Sequence, residues 1–309
     1  MRAHLAPVLM LLAAAGAHAQ GSTEPQCGGI AGNASLQIEV CTKAIDSGRY
    51  AGVDLAKAYY SRGTELAGLG DHDRAIADFN VAVQLDPSLA SAHYNRALSW
   101  AGKGDPDRAI EDYDAALRLN PRDASAHIGR ALAWIAKGDF ERAIADYDDA
   151  IHVDAKATAG YFGRARAKYY AGKFESAASD FIRAHQLDAS IYTALWIYLA
   201  RKRADIPGEI TLAHEAGTAG AGPWPAPIVA LYLGKGTPEA LQKESAHPDP
   251  AREREQRCEA AFYTGEWHVL RGARESAMQL LREAESLCSR TYVEHESAVA
   301  ELRRLEQNR

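Results

Sequence analysis

The chain has 309 residues, of which 47% are hydrophobic and 25% are charged, and its formal net charge at pH 7 is −6. This composition predicts a well-packed soluble protein and excludes intrinsic disorder and collagen-like structure. Because the balance is mildly acidic and no predicted face gathers Lys and Arg, nucleic acid is not an expected partner.

The first 19 residues have the features of a secretory signal peptide. Arg2 gives a positive start, an apolar run follows at Leu5–Ala15, and Ala17 and Ala19 precede a cleavage site before Gln20. The alternative, a short membrane anchor, is weak because a span needs roughly 20 apolar residues, and no later stretch is long enough either. The first cysteine does not follow the Leu-plus-small-residue triplet of a lipoprotein. We therefore expect a soluble periplasmic or secreted protein without a membrane span.

Four similar stretches follow one another at intervals of 34 residues. They are GDHDRAIADFN (70–80), GDPDRAIEDYD (104–114), GDFERAIADYD (138–148) and GKFESAASDFI (172–182). In each copy an aromatic residue stands four positions, and a second Ala seven positions, after the first Ala, which places all three on one stripe of a helix. The stripes are Ala75, Phe79 and Ala82; Ala109, Tyr113 and Ala116; Ala143, Tyr147 and Ala150; and Ala177, Phe181 and Ala184.

Another helical stretch precedes each copy and ends at a glycine, so it forms the first helix of the unit. The glycines are Gly70, Gly104, Gly138 and Gly172. Glycine at this place supplies the left-handed conformation that ends a helix. Pro87 and Pro121 then stop the second helix in the first two copies. Each unit is therefore predicted to be a helix, a tight turn and a second helix.

This pattern resembles the tetratricopeptide repeat, whose signature includes A-x3-F and a terminal Pro at the same period. The resemblance implies an all-α fold, a solenoid of antiparallel helix pairs that forms a right-handed superhelix. We expect five regions: the signal peptide (1–19), an N-terminal segment with a partial repeat (20–55), four repeats (56–191), a degenerate repeat with an irregular helical segment (192–257), and a hairpin with a final helix (258–309).

An Arg and an Asp recur once in every repeat. They are Arg62, Arg96, Arg130 and Arg164 in the first helices, and Asp78, Asp112, Asp146 and Asp180 in the second helices. Paired opposite charges can serve catalysis, but catalysis needs one constellation, whereas stacking needs the same contact at every interface. We expect these ladders to fix the packing between helices.

The first helices of such a solenoid line a groove that holds a peptide or a partner helix. The residues expected to face that groove are Tyr60, Tyr94, Leu98, Ile128, Leu132, Ile135, Phe162, Tyr169 and Tyr170. Aromatic residues are common anchors of protein interfaces, although packing between repeats would also explain them. Related co-chaperones bind a terminal carboxylate with Lys and Asn at these positions. Here only Lys57 and Asn95 are polar in that way, so an apolar or aromatic partner motif is expected instead.

The C-terminal third contains the stretches YTALWIYLARKRA, PIVALYLGKGTPEAL, AFYTGEWHVLRGARESAMQLLREAE and YVEHESAVAELRRL. They are similar to the end of the NlpI-type lipoproteins, periplasmic tetratricopeptide proteins of Gram-negative bacteria. It implies a homodimeric, non-enzymatic adaptor that brings cell-wall hydrolases together and to a tail-specific protease. The lipid-bearing cysteine of that family is missing, so membrane tethering is not implied.

Four cysteines remain after signal cleavage, an even number that suits an oxidising compartment. Cys258 and Cys288 lie about equally far from Gly272, where two predicted helices turn, so an antiparallel hairpin brings them level. We expect a disulfide there and a second one between Cys27 and Cys41. The alternative is four buried free thiols.

The sequence carries no recognisable catalytic or metal motif. There is no H-E-x-x-H metal motif and no G-x-S-x-G nucleophile elbow. We therefore expect no enzymatic activity, no metal and no cofactor. The alternative is a glycan- or small-ligand-binding protein or an enzyme that uses the irregular segment 206–256, with Trp224 or the nearby Trp267.

Overall fold

A computed structural model describes Cys27 and residues 33–209, 212–214, 224–289 and 292–307. These residues form α-helices joined by short turns, with no β-strand among them, so the all-α fold class is confirmed. The proposed signal peptide and the glycine-rich stretch 217–222 lie outside the described residues. The fully bounded helices are α1 (Ala34–Asp46), α2 (Gly52–Gly68), α3 (His72–Leu85), α4 (Ala90–Gly102), α5 (Pro106–Leu119), α6 (Ala124–Lys137), α7 (Phe140–Val153), α8 (Thr158–Tyr170), α9 (Phe174–Leu187), α10 (Ile191–Arg203), α11 (Ala226–Tyr232), α12 (Pro238–Glu244), α13 (Pro250–Val269), α14 (Arg274–Leu287) and α15 (Val293–Gln307).

The chain divides into two compact units, which are described separately below. The N-terminal unit contains α1 to α6 and the short segment His152–Asp154. The C-terminal unit contains Gly138–Ile151, which is most of α7, and the chain from Ala155 onward. The boundary lies between α6 and α7, inside the four-repeat block, and the five predicted regions stay a prediction.

In the N-terminal unit the turns within the repeats are built from local signals. Gly70 and Gly104 adopt φ values of 80° and 78°, which a residue with a side chain rarely tolerates. Asp71 and Asp105 then cap the next helix, because their carboxylates accept hydrogen bonds from the backbone N–H groups three residues on, at 3.2 and 3.1 Å. The glycine stop and the aspartate start together set the bounds of α3 and α5.

The predicted small–aromatic–small stripe forms the core of this unit. Ala75, Phe79 and Ala82 of α3 are fully buried. In α5 the stripe residues Ala109, Tyr113 and Ala116 are at most 2% exposed. Small residues let the neighbouring helices approach, and the aromatic ring fills the remaining space.

The C-terminal unit continues the same pattern and then departs from it. Pairing continues through α8, α9 and α10. The helix α10 is buried over most of its length, and the Trp196 ring stacks on Phe181 at 5.4 Å and lies 5.8 Å from Phe262. The short helices α11 and α12 lead into a long hairpin of α13 and α14, and α15 packs on α14 and also contacts α8 and α13.

The C-terminal hairpin turns at Gly272 as predicted, with φ of 70°, but it begins earlier than expected. The helix α13 starts at Pro250, eight residues before Cys258. Asp249 caps it by accepting a hydrogen bond from the backbone N–H of Ala251 at 3.0 Å, and Pro250 suits the first helical position. The hairpin therefore extends eight residues into the segment 192–257, for which the sequence predicts a degenerate repeat and an irregular helical segment.

Both expected cysteine pairs lie at disulfide distance. The sulfur atoms are 2.01 Å apart in Cys27–Cys41 and 2.14 Å apart in Cys258–Cys288. The first bridge joins the chain ahead of α1 to the middle of that helix. The second joins α13 to the end of α14, as the position of Gly272 predicts.

Candidate functional site

The first helices α2, α4 and α6 lie next to one another in the N-terminal unit and present five of the predicted groove residues. All five side chains are half-buried, so each keeps one side open. We call these residues the first-helix surface; they are Tyr60, Tyr94, Leu98, Ile128 and Leu132.

The two tyrosines of the first-helix surface are held in place by aromatic and polar contacts. The Tyr60 ring lies 6.1 Å from that of Phe79, and the Tyr94 ring lies 5.9 Å from that of Tyr113. Burial raises the pKa of Tyr94 well above its usual value. Asn95 donates from Nδ2 to the Tyr60 hydroxyl at 3.2 Å, which ties α4 to α2. These contacts hold the two rings on their buried sides and leave their other sides partly exposed, so the surface is preorganised.

Asn95 and Lys57, the two polar residues that could suggest a carboxylate clamp, are engaged elsewhere. The Asn95 amide donates to Thr64 Oγ1 at 3.2 Å as well as to Tyr60. Lys57 is mostly exposed and lies 3.6 Å from Asp54 on its own helix.

Three of the predicted groove residues are buried, and the prediction that they contact a partner is wrong. Ile135 is 3% exposed, Tyr169 is 0% exposed and Tyr170 is 5% exposed. Tyr169 donates to Glu266 Oε2 at 2.7 Å, and Tyr170 hydrogen-bonds to Ser297 Oγ. Both tyrosines are covered by α13 and α15, which come back onto α8 from far along the sequence.

Phe162 belongs to the C-terminal unit and is half-buried. Its ring meets Phe181 at 5.5 Å and Trp196 at 6.4 Å, both in edge-to-face geometry. Packing within this unit accounts for most of its contacts, while a partner role for its open side stays a prediction.

The recurring Arg and Asp residues form clamps between helices. Arg96 donates from Nε and Nη2 to the two carboxylate oxygens of Asp112, at 2.8 and 2.5 Å. Its Nη1 donates to Asn80 Oδ1 on the second helix of the preceding repeat, at 2.8 Å. Arg164 repeats the arrangement with Asp180 and, on the preceding second helix, Asp148. One guanidinium thus ties three helices together.

Arg62 and Arg130 of the N-terminal unit each make part of the same arrangement. Arg62 binds Asp78 through two hydrogen bonds of 2.8 Å, and Arg130 donates to Asp114 of the preceding repeat at 2.6 Å. Burial opposes the charge of Asp112, but hydrogen bonds from His93 and Arg96 outweigh it and hold the pKa of that carboxyl below its usual range. These charges serve packing, as the sequence predicts.

A buried polar network in the C-terminal unit was missed by the reasoning from sequence. Glu266 of α13 and Glu301 of α15 are 1% and 0% exposed, and Arg203 of α10 lies between them, 3.7 Å from Glu266 and 2.9 Å from Glu301. Burial and the charge of Glu301 raise the pKa of Glu266 to about 7. The available signal was an acidic residue on an otherwise apolar face, in CEAAFYTGEWHV.

The two tryptophans in and near segment 206–256, Trp224 and Trp267, have different surroundings. Trp224 donates from Nε1 to Glu259 Oε2 at 2.9 Å. Trp267 lies under Arg271, whose guanidinium carbon is 3.5 Å from the ring centre, and its buried Nε1 has no hydrogen-bond partner among the described residues. None of the described helices is long and apolar enough to cross a membrane.

Comparison with known families and structures supports the repeat interpretation. Two tetratricopeptide-repeat family models match residues 56–89 and 94–160. No curated protein sequence matches this chain. A solved tetratricopeptide repeat protein from Parabacteroides merdae is 15% identical, with a TM-score of 0.55 over 86% of this chain and 91% of that one.

Two further solved structures share the fold at low identity. YrrB, described as a TPR protein with an unusual peptide-binding site, is 18% identical, with a TM-score of 0.53 over 64% of this chain and 99% of its own. MamA is 17% identical, with a TM-score of 0.50 over 53% of this chain and 92% of its own. The repeated helix pairs and the family models show that residues 56–89 and 94–160 consist of tetratricopeptide repeats, and these neighbours share the helical-repeat fold, which is typical of protein-interaction scaffolds.

Proposed function

We propose that this protein is an exported, non-enzymatic adaptor that binds a partner protein or peptide on the first-helix surface. The observation that carries the proposal is the half-buried state of Tyr60, Tyr94, Leu98, Ile128 and Leu132 on neighbouring helices. Rings and aliphatic side chains that are already fixed on one side lose little conformational entropy when a partner covers the other side. YrrB, which shares the fold, is described as having a peptide-binding site.

The chemistry of this surface favours an apolar or aromatic motif in the partner. The buried sides of Tyr94 and Leu98 pack against a cluster that includes Tyr113, Ile110 and Ala97, and their other sides stay open. A side chain that packs on them removes further apolar area from water, which stabilises the complex by roughly 25 cal/mol per Å² before the costs of association. An anionic terminus would gain little here because the Asn95 amide already donates within the unit.

The resemblance to the NlpI-type lipoproteins supplies the finer part of the proposal. In this role the mature chain acts in the periplasm as a homodimer and links cell-wall hydrolases to a tail-specific protease. Export requires removal of residues 1–19, so protein recovered from the native cell envelope should begin at Gln20 by mass spectrometry. A full-length N-terminus would count against export.

The adaptor proposal is tested by a charged substitution on the first-helix surface. The double variant Leu98→Glu, Leu132→Glu places carboxylates where an apolar partner would pack. Leu119→Glu is the matched control, because Leu119 is 44% exposed at the end of a second helix. Tagged mature proteins are cross-linked in their own cell envelope, purified and compared by quantitative mass spectrometry.

We expect the double variant to lose most of the partners that wild type and Leu119→Glu retain, with circular dichroism showing that all three are folded. Equal recovery of every partner by the folded double variant would overturn the role of this surface.

A second candidate function is binding of a glycan or small ligand near segment 206–256. The observation that favours it is the unpartnered indole N–H of Trp267 beneath Arg271. Peptidoglycan fragments should then raise the melting temperature of wild type but not of Trp267→Phe. No shift in either protein would remove this alternative.

A further inference from the structure

The open side chains of the first-helix surface form matching rows on neighbouring helices. Tyr94 and Leu98 are four residues apart on α4, and residues at this spacing lie one above the other on the same face of a helix. Ile128 and Leu132 have the same spacing on α6, which lies next to α4. All four side chains are half-buried. The two rows therefore form ridges of the kind against which another helix packs.

The chemistry of these rows suits a partner segment whose backbone hydrogen bonds are already made. The five side chains of the first-helix surface offer two tyrosine hydroxyl groups and no amide or carboxylate. The nearby Asn95 amide N–H groups already donate to Tyr60 and Thr64. An extended segment covered by this surface would leave backbone N–H and C=O groups without partners, which weakens binding. An α-helix pairs these groups within itself.

A helix of the chain itself covers this face of a first helix in the C-terminal unit. Arg166 of α8 stands one 34-residue period after Leu132, so the two residues share a position of the repeat. The Arg166 guanidinium donates to Glu296 of α15 at 2.7 Å. One turn further along α8, the Tyr170 hydroxyl hydrogen-bonds to Ser297 Oγ. Consecutive residues of α15 thus contact side chains that are four residues apart on α8.

The exposure of the two repeat positions differs between α8 and α6. Arg166 is 4% exposed and Tyr170 is 5% exposed beneath α15. At the same two positions of α6, Leu132 is half-buried and Ala136 is exposed. The face of α6 is therefore open where the face of α8 carries a helix.

The residue types at the shared repeat position indicate what a partner helix carries. Arg166 is matched by a carboxylate, that of Glu296, on the helix that covers it. Leu98 and Leu132 have aliphatic side chains in place of the arginine, and a buried carboxylate beside them would be unfavourable. An aliphatic or aromatic residue there removes apolar area from water instead. The expected partner helix is amphipathic, with apolar residues three or four positions apart on one face.

We propose that the first-helix surface binds an amphipathic α-helix of the partner protein, which packs its apolar face against the Tyr94–Leu98 and Ile128–Leu132 rows. The proposal rests on the adaptor function and adds the form and chemistry of the bound segment. The packing of α15 on α8 is a contact of the same kind that the chain makes with itself.

Site-specific photo-cross-linking in the native cell envelope tests for a helix. Benzoylphenylalanine replaces Tyr94 in one protein and Ile128 in another, and mass spectrometry locates the cross-linked residues of the partner. A bound helix turns one face to the surface, so each probe should capture residues three, four or seven positions apart. An extended segment would be captured at every second residue. Benzoylphenylalanine at the exposed Leu119 is the control.

Synthetic peptides that span the captured segment provide the second measurement. Lys and Glu are placed at two positions, four residues apart, that neither probe captured. The two side chains are joined as a lactam in one peptide and left unlinked in the other. The lactam holds the peptide in a helix before it binds, so a helical segment should bind the mature protein about tenfold more tightly when bridged. An extended segment would bind more weakly when bridged. Fluorescence anisotropy measures both affinities.

The outcomes distinguish the helical partner from the adaptor function itself. Capture at every second residue, or weaker binding of the bridged peptide, would overturn the helical partner and leave the adaptor function standing. Equal capture by the Leu119 probe, or no capture by any probe, would overturn both. Adding Leu98→Glu and Leu132→Glu to the Tyr94 probe should abolish capture while circular dichroism shows that the protein is folded. Unchanged capture by this folded protein would also overturn both.

Discussion

At the scale of single residues, the repeating arginines decide how neighbouring helices are joined. Arg96 makes two bonds to Asp112 and a third to Asn80, with 18% of its side chain exposed. Only a planar guanidinium can serve a carboxylate with two parallel donors and reach a third acceptor at once. The charge of the residue is therefore less important than its geometry.

Arg96→Lys should destabilise the protein even though it preserves the charge. A lysine ammonium cannot donate the two parallel hydrogen bonds of the guanidinium fork, so one buried oxygen of Asp112 loses its Arg96 donor. This should lower the free energy of unfolding by about 1 to 2 kcal/mol. Urea denaturation followed by circular dichroism measures the change. Arg74→Lys is the control, because Arg74 is 66% exposed and pairs within its own helical turn. Equal stability of the two variants would refute the importance of the fork.

The buried acid Glu266 should make the stability of the C-terminal unit fall as the pH rises. Its pKa in the folded protein is raised to about 7, above its ordinary value, by burial and by Glu301. A carboxyl with a raised pKa contributes its stability below its unfolded pKa and loses it as the pH rises through the folded value. Melting temperatures of wild type should drop between pH 5 and pH 8, and Glu266→Gln should drop less. A parallel decline in both proteins would contradict this reasoning.

At the scale of helices, the aromatic residue on the second helix of one repeat limits the size of a residue on the first helix of the next repeat. A side chain at Gly129 would meet the Tyr113 ring and hydroxyl at 2.5 and 2.6 Å, and the Tyr147 ring lies as close to Gly163. The residue 16 positions after Tyr113, and likewise after Tyr147, is Gly. It is larger where the aromatic is Phe, as in Phe79 with Asn95. The tyrosine hydroxyl occupies the volume that a β-carbon would need.

Gly129→Ala should therefore destabilise the protein although Ala is the better helix former. Overpacking costs about 1 to 3 kcal/mol, which outweighs a gain in helix propensity of about 1 kcal/mol. Tyr113→Phe in the same chain should restore part of the loss by removing the hydroxyl. Gly68→Ala, with no atom within 4 Å of the added carbon, is the control and should be neutral or slightly stabilising. Chemical denaturation of wild type, Gly129→Ala, Tyr113→Phe and the double variant gives the coupling between the two positions, and additive effects would refute it.

At the scale of the whole molecule, each compact unit has its own disulfide. Cys27–Cys41 fastens the start of the N-terminal unit, and Cys258–Cys288 closes a 30-residue hairpin in the C-terminal unit. Terminal repeats have a neighbour on one side only, so their helices gain less from stacking than the central ones. A covalent link at these places compensates by restricting the unfolded chain.

Removal of the second bridge should lower stability by about 3 to 4 kcal/mol, the loop-entropy value for a closed segment of this length. The double variant Cys258→Ala, Cys288→Ala and wild type are compared by guanidinium denaturation, with and without a phosphine reductant. The reductant should destabilise wild type further than the variant, which retains only the Cys27–Cys41 bridge. Identical curves for oxidised wild type and the variant would show that the bridge does not form in solution.

Short-range patterns in the chain were enough to establish the helix pairs, the turns at Gly70, Gly104, Gly138 and Gly172, and the cysteine partners. The helix pairs and the turns depend on residues a few turns apart, so the 34-residue period is enough to predict them, and the turn at Gly272 predicts the Cys258–Cys288 pair. Contacts between residues far apart in the chain decided the rest. Tyr169 and Tyr170, for example, hydrogen-bond to residues 97 and 127 positions away. The contacts of Arg203 with Glu266 and Glu301 likewise require α10, α13 and α15 to pack together. Side-chain exposure and charge clustering depend on which distant helices meet, and periodicity carries no information about that.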